Sequence, residues 1–153
     1  MDDAEWHASL PSFTASGAAL LTDEAGAVLL VKPWYRDEWG LPGGVAEAAE
    51  SPRQCAEREA LEEIGVAVTA TALLAVQWLP PDSPRRATFA FVFDCGTLAD
   101  PGLVRLQTEE LDDFAFLPLE QATARMVPAG ALRLSAAIQA RANGRPAYLE
   151  MPG

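Results

Sequence analysis

Three glutamates, Glu59, Glu62 and Glu63, stand at i, i+3 and i+4 within a run of helix-forming residues. On a helix their carboxylates share one face about one turn long. Like charges at that spacing cost a helix about 0.2–0.5 kcal/mol per pair. Arg58, at the edge of the stripe, offsets only part of this. Two readings are open. The stripe is a solvated acidic face, or it is the seat of a hard divalent cation, which takes several oxygen ligands with room for water and phosphate oxygens. Ala56, Ala60 and Ile64 form an apolar stripe that would dock the helix, and Gly43-Gly44 upstream lets another backbone come close.

The helix that must position these acids is well signalled. Ser51 is a good N-cap, Pro52 suits the first helical position, and Gln54 completes an S-x-x-Q capping box. Gly65 sits where a left-handed C-cap would end it. A helix over Pro52–Ile64, preceded by a glycine turn and a short loop, is the expectation.

Around it, β-prone and helical runs alternate. Residues 13–21 and 27–32 are short and apolar, with Asp23-Glu24-Ala25-Gly26 between them as the turn of a hairpin. Pro33 ends the second run, and Trp34-Tyr35-Arg36-Asp37-Glu38 is a loop with aromatic and cationic tips. Residues 66–79 are β-rich and closed by Pro80-Pro81, and residues 82–86 form a charged loop. The clearest strand is 87–94, with phenylalanines on alternate positions. Residues 96–105 are irregular, 111–117 read as a strand, 119–126 as a short helix and 129–143 as a longer one ended by Gly144. Tyr148-Leu149 returns as a final strand or clasp. Residues 1–10 are expected to be loose, with Trp6 as a pin; His7, the lone histidine, carries little weight there. Strands interleaved with helices give an α/β protein whose helices cover a sheet.

At 153 residues the chain reads as one domain, able to bury about two-thirds of its surface. A net charge of −11 makes a nucleic-acid polymer a poor partner, and an anionic substrate would have to bring cations with it. Cys55 and Cys95 make no disulfide framework, so reduced thiols in a cytoplasm are expected, with Cys55 in a packing role. No basic-then-apolar leader opens the chain and no run approaches membrane-spanning length, so a soluble, cytoplasmic protein without a membrane partner is expected.

Gly44, five residues, Glu50, seven residues, then Arg58-Glu59-Ala60-Leu61-Glu62-Glu63-Ile64-Gly65-Val66 resembles the Nudix box in full, G-x5-E-x7-R-E-U-x-E-E-x-G-U with U aliphatic. The likeness to MutT-like Nudix hydrolases is specific over residues 39–66 and looser outside. Two departures are small: Ala60 is a short residue at an aliphatic position, and Ala49 stands where many members have glycine.

The resemblance implies an α/β Nudix fold, a mixed, partly closed sheet sandwiched between helices (α/β/α), with one domain over residues 1–153 and the box at 44–66. It implies hydrolysis of a nucleoside diphosphate linked to another group X, by water attack at phosphorus with Mg2+ or Mn2+. Carried over by position, Glu59, Glu62 and Glu63 are the metal ligands, joined by the Gly44 carbonyl, while Glu50 and Arg58 form a charge pair that orients the ligand helix. The base is Glu62 or Glu63, or a glutamate from a later loop, for which Glu110 is the candidate and Glu109 the alternate; a solvated acidic loop is the other reading of that segment.

For the substrate, Trp34, Tyr35 and Trp78 are candidates to stack on a base, and Lys32, Arg36, Arg85 and Arg86 to meet phosphates. Each is also readable as core or plain surface. Nucleoside triphosphates, nucleotide sugars and ADP-ribose all fit. The alternative is a Nudix-fold sensor module that binds a nucleotide without cleaving it, although such modules usually lose box acids and here all are present. An isoprenyl diphosphate isomerase is disfavoured by the setting of both cysteines. A homodimer is expected from the habit of the family.

Overall fold

Two strands are apolar on both faces, and they make the centre of the architecture. In the computed structural model, which describes residues 1–152, these are β1 (Thr14–Thr22) and β2 (Val28–Pro33). Ala19, Leu21, Leu29 and Val31 point into one core, and Leu20, Val28 and Leu30 into the other. A strand buried on both faces needs a layer on each side. Helix α2 (Pro52–Ile64) supplies one, and α3 (Leu119–Ala124) with α4 (Pro128–Asn143) supplies the other.

The remaining strands are β3 (Gly43–Val45), β4 (Ala72–Leu79), β5 (Thr88–Thr97), β6 (Leu111–Leu117) and β7 (Ala147–Glu150). They join one seven-stranded sheet in the order β6-β2-β1-β5-β4-β7, with β3 also paired to β1. β1–β5 and β4–β7 are parallel and the other pairs antiparallel, so the sheet is mixed, as expected. Its outer strands, β6 and β7, do not pair with each other, so it is open where partial closure was expected.

The hairpin is real but brief. β1 and β2 meet only at Thr22–Val28, where the Asp23 carboxylate accepts from the Ala25 and Ala27 amides at 3.0 and 2.8 Å. Beyond that the strands part, and residues 40–45 fill the gap. Gly40 bridges to Val31 of β2, while Gly43, Gly44 and Val45 pair with Ala18, Gly17 and Ser16 of β1. The expected glycine turn at Gly43-Gly44 is therefore a strand. The positive φ in this region belongs to Ala49, at 64°.

Three further expectations are corrected. The loose start is a short helix, α1 (Asp3–Ser9), closed by an Asp2/Glu5 capping box, and it buries no residue. Trp6 is half exposed and packs edge-on against His7 rather than pinning the terminus. Residues 66–71 lie outside β4 because α2 side chains take their backbone groups: Arg53 donates to the Ala70 carbonyl at 3.0 Å and Glu57 accepts from its amide at 3.2 Å. Among the described residues no helix is long and apolar enough to cross a membrane.

Candidate active site

The box helix forms as its caps dictate. Ser51 accepts from the Gln54 amide at 3.1 Å, Gln54 accepts from the Ser51 amide at 2.9 Å, and Gly65 takes the left-handed cap at φ 69°. Its inner face is made of small residues, Cys55, Ala56 and Ala60, each 0% exposed. They are small because the helix lies directly on β1: a Cβ on Gly17 would stand 2.1 Å from the Pro52 carbonyl oxygen. Gly17 was not legible as a site residue. Its signal, a glycine inside a strand, usually marks close backbone approach.

This seating brings the acids to β3. Glu63 is 8% exposed and accepts from the Gly43 amide at 3.2 Å. The Glu59 carboxylate lies against Gly44. Burial, then the neighbouring Glu59, pushes the Glu63 carboxyl up to about 8, and the charge of Glu110 adds to the rise. Burial also raises Glu59, against the pull of Arg58. Glu62 is half exposed.

Arg58 ties the outer acids together. It donates to Glu50 at 2.7 and 3.0 Å as a fork, and to Glu59 and Glu62 at 3.1 Å each. The guanidinium holds Glu50 down at about 2, and the acids in turn hold the proton on Arg58 more firmly. The buried Cys55 thiol donates to the Gly44 carbonyl at 3.2 Å. A carbonyl oxygen has two lone pairs, so this leaves one for another partner.

The donor set suits a hard divalent cation: carboxylates and a carbonyl, with two of the carboxyls desolvated and short of counter-charge. The missing side chain of Gly44 provides the cradle, since a Cβ there would collide with the Glu59 carboxylate. Among the described residues no three candidate ligands converge tightly enough to hold an ion as they stand. Glu62 is engaged by Arg58 instead.

The loop before β6 closes the far end of the helix. Arg105 and Gln107 amides donate to the Ile64 and Glu63 carbonyls at 2.8 and 2.9 Å, satisfying groups that the helix end leaves open. This brings exposed Glu110 into electrostatic range of Glu63. The Glu110 carbonyl accepts from the Trp34 amide at 2.9 Å, joining the two loops. Glu109 is exposed.

The expected substrate residues are scattered. Trp34 and Tyr35 are exposed and meet edge to face at 5.7 Å. Arg36 lines a cleft of about 180 Å3 with Trp39, Gly43, Met126 and Arg133. Trp78 instead packs against Phe13 and Phe89 and does not line that cleft. Lys32 faces Asp112 at 3.6 Å. Arg85 donates to the Pro80 carbonyl at 3.2 Å, and Arg86 is exposed. Sequence reasoning missed Trp39, Met126 and Arg133. For Arg133 a signal existed: it falls on the inward stripe of α4 with Gly130, Ala137 and Ala140, an odd place for a charge.

The fold has known relatives. A family model described as NUDIX domain matches residues 12–137. A MutT-like protein of Streptomyces ambofaciens is 30% identical over 126 residues, covering 82% of this chain and 77% of the relative. Among solved structures, the MutT protein of Methanosarcina mazei Go1 superposes with a TM-score of 0.72 at 23% identity, over 90% of this chain and 100% of that one. A UDP-X diphosphatase gives 0.74 at 23% identity, over 97% and 75%.

Proposed function

The chain belongs to the Nudix hydrolase family, and on that premise we propose that it cleaves the diphosphate bond of a nucleoside diphosphate linked to another group X, with Mg2+ or Mn2+. One observation carries this reading: two desolvated carboxylates, Glu59 and Glu63, are pressed against the Gly43-Gly44 strand without enough positive charge to neutralise them. Glu59, Glu62, Glu63 and the Gly44 carbonyl would hold the ions. Bound there, the cations would screen the diphosphate oxygens and acidify water.

The chain's own groups do the rest. Arg58, anchored on Glu50, fixes the outer carboxylates and would pass Glu62 to an incoming cation. Glu110, exposed and within electrostatic range of Glu63, would take the proton of the attacking water, with Glu62 and Glu63 as the in-helix alternatives. The loop from Trp34 to Arg36 and the cleft beside Gly43 would receive the nucleoside and its phosphates.

The test is phosphate release from a panel of nucleoside triphosphates, nucleotide sugars and ADP-ribose with Mg2+, beside Glu59→Gln as control. Turnover in wild type that Glu59→Gln abolishes is the expected result. A compound that raises Tm without being cleaved would replace hydrolysis with simple binding.

A further inference from the structure

α4 carries two arginines on its inner side, about two turns apart, and their surroundings treat them differently. Arg141 is fully met: it donates to Thr22 Oγ1 at 2.8 Å, Asp94 Oδ1 at 2.7 Å, the Gly96 carbonyl at 3.1 Å and the Leu20 carbonyl at 3.3 Å. Arg133 donates to the neutral Gln77 Oε1 alone. Gln77 is 0% exposed and is itself fixed, its amide donating to the Ala129 carbonyl at 3.1 Å. Among the described residues no carboxylate comes within ion-pair distance of Arg133. Burial disfavours its charge, yet an arginine does not give up its proton in a protein. A persistent positive charge is thus held half-buried with spare donors.

Arg133 stands between two clefts, one lined by Asp82 and Arg85 and the other by Arg36 and Gly43, and Gly43 is the residue whose amide holds Glu63. Arg36 has no acidic partner among the described residues either. Glu38 lines the same cleft as Arg36, but neither arginine stands within ion-pair distance of it, so in a chain with 22 acidic and 11 basic residues both keep donors for another anion. The planar guanidinium offers paired N–H donors that match the oxygens of a phosphoryl group.

We propose that Arg133, with Arg36, forms an anion subsite that grips a substrate phosphoryl group next to the bond cleaved at the carboxylates, with Gln77 as the residue that positions Arg133. This rests on the diphosphate reading above for its substrate, but not for its anion. Trp39 and Met126 line the same cleft and shield the contact in part from water, which strengthens it.

Arg133→Met removes the charge and keeps the length. Loss of a charged hydrogen bond to substrate should raise KM by about ten- to a hundredfold, with kcat held within about twofold. Tm should change little, because release of a buried charge that meets no carboxylate offsets the hydrogen bond lost at Gln77 Oε1. A merely structural arginine would instead lower Tm and leave KM alone. If Arg133→Met does not fold, Arg133→Lys is read the same way, since it keeps the charge and loses the fork.

Inorganic pyrophosphate with a chelator present separates this inference from the hydrolase reading. It should raise the Tm of wild type and not of Arg133→Met, whether or not any nucleotide is cleaved. Hydrolysis with unchanged KM and unchanged pyrophosphate protection in the variant overturns the subsite and leaves the hydrolase standing. Protection lost in the variant, with every nucleotide inert, keeps the subsite and removes the hydrolase.

Discussion

Gly44 and Glu59 lie so close that a Cβ on the glycine would stand 2.4 Å from Glu59 Oε1 and 2.7 Å from its Cδ. The obstacle is the far end of a flexible side chain, so Gly44→Ala can be relieved by swinging the carboxylate away. The fold should survive and the site should not. A ligand displaced by about 1 Å can cost on the order of 100-fold in rate. Gly44→Ala should therefore lose turnover to that extent and need more Mg2+ for half-maximal activity, with Tm little changed. Wild-type metal dependence in this variant would remove Glu59 from the ligand set.

Ala49 makes the opposite prediction. Its φ of 64° places a side chain in left-handed backbone, which costs an L-residue about 1–2 kcal/mol. Glycine relieves that strain but frees the unfolded chain by about 0.4–1 kcal/mol. A net gain of up to about 1.6 kcal/mol follows, at about 2–4 °C in Tm per kcal/mol for a chain of this size. Ala49→Gly, read by thermal unfolding, should show this with kcat unaltered; a lower Tm would mean the strain is absent.

Glu63 sets a pH dependence for the metal-free protein. Its carboxyl is raised from 4.5 to about 8, so the folded chain keeps a proton that the unfolded chain releases. This group's contribution is fully favourable below pH 4.5 and is lost progressively as the pH rises to about 8. The steepest slope for one proton is about 1.4 kcal/mol per pH unit. Thermal unfolding of wild type minus Glu63→Gln across this window separates the Glu59–Glu63 pair from the other groups. Saturating Mg2+ should flatten it, since a cation supplies the charge the pair lacks. A difference curve without slope would mean that Glu63 is ionised throughout.

Much of this was legible in the sequence because it is local. Ser51, Pro52, Gln54 and Gly65 cap α2 through contacts a few residues away, and the spacing of Glu59, Glu62 and Glu63 follows from helical period alone. What was not legible depends on distant chain. Gly43-Gly44 looked like a turn because glycine is permissive; it is a strand because β1 and β2 diverge and leave backbone groups for it to meet. Trp78 looked free to stack on a base, and Phe13, a strand away, claims it. Arg133 was not singled out, because nothing nearby in sequence shows that Gln77 of β4 lies opposite.

Glu110 is the residue whose role depends most on such distant placement. Its loop is pinned to the end of α2 by the Arg105 and Gln107 amides and to the neighbouring loop by the Trp34 amide, so its backbone is held while its side chain is exposed. A side chain so placed contributes little to the fold, and an exposed substitution usually moves stability by less than about 0.5 kcal/mol. As general base it would contribute about 100- to 10,000-fold in rate. Glu110→Gln should therefore cut kcat by at least about 100-fold with Tm unmoved, and it should also ease the rise at Glu63 by removing a like charge. Glu109→Gln, exposed beside it, is the matched control and should stay near wild type. If Glu110→Gln turns over normally, the proton goes to Glu62 or Glu63; if both variants are equally impaired, the loss belongs to the acidity of the loop rather than to one base.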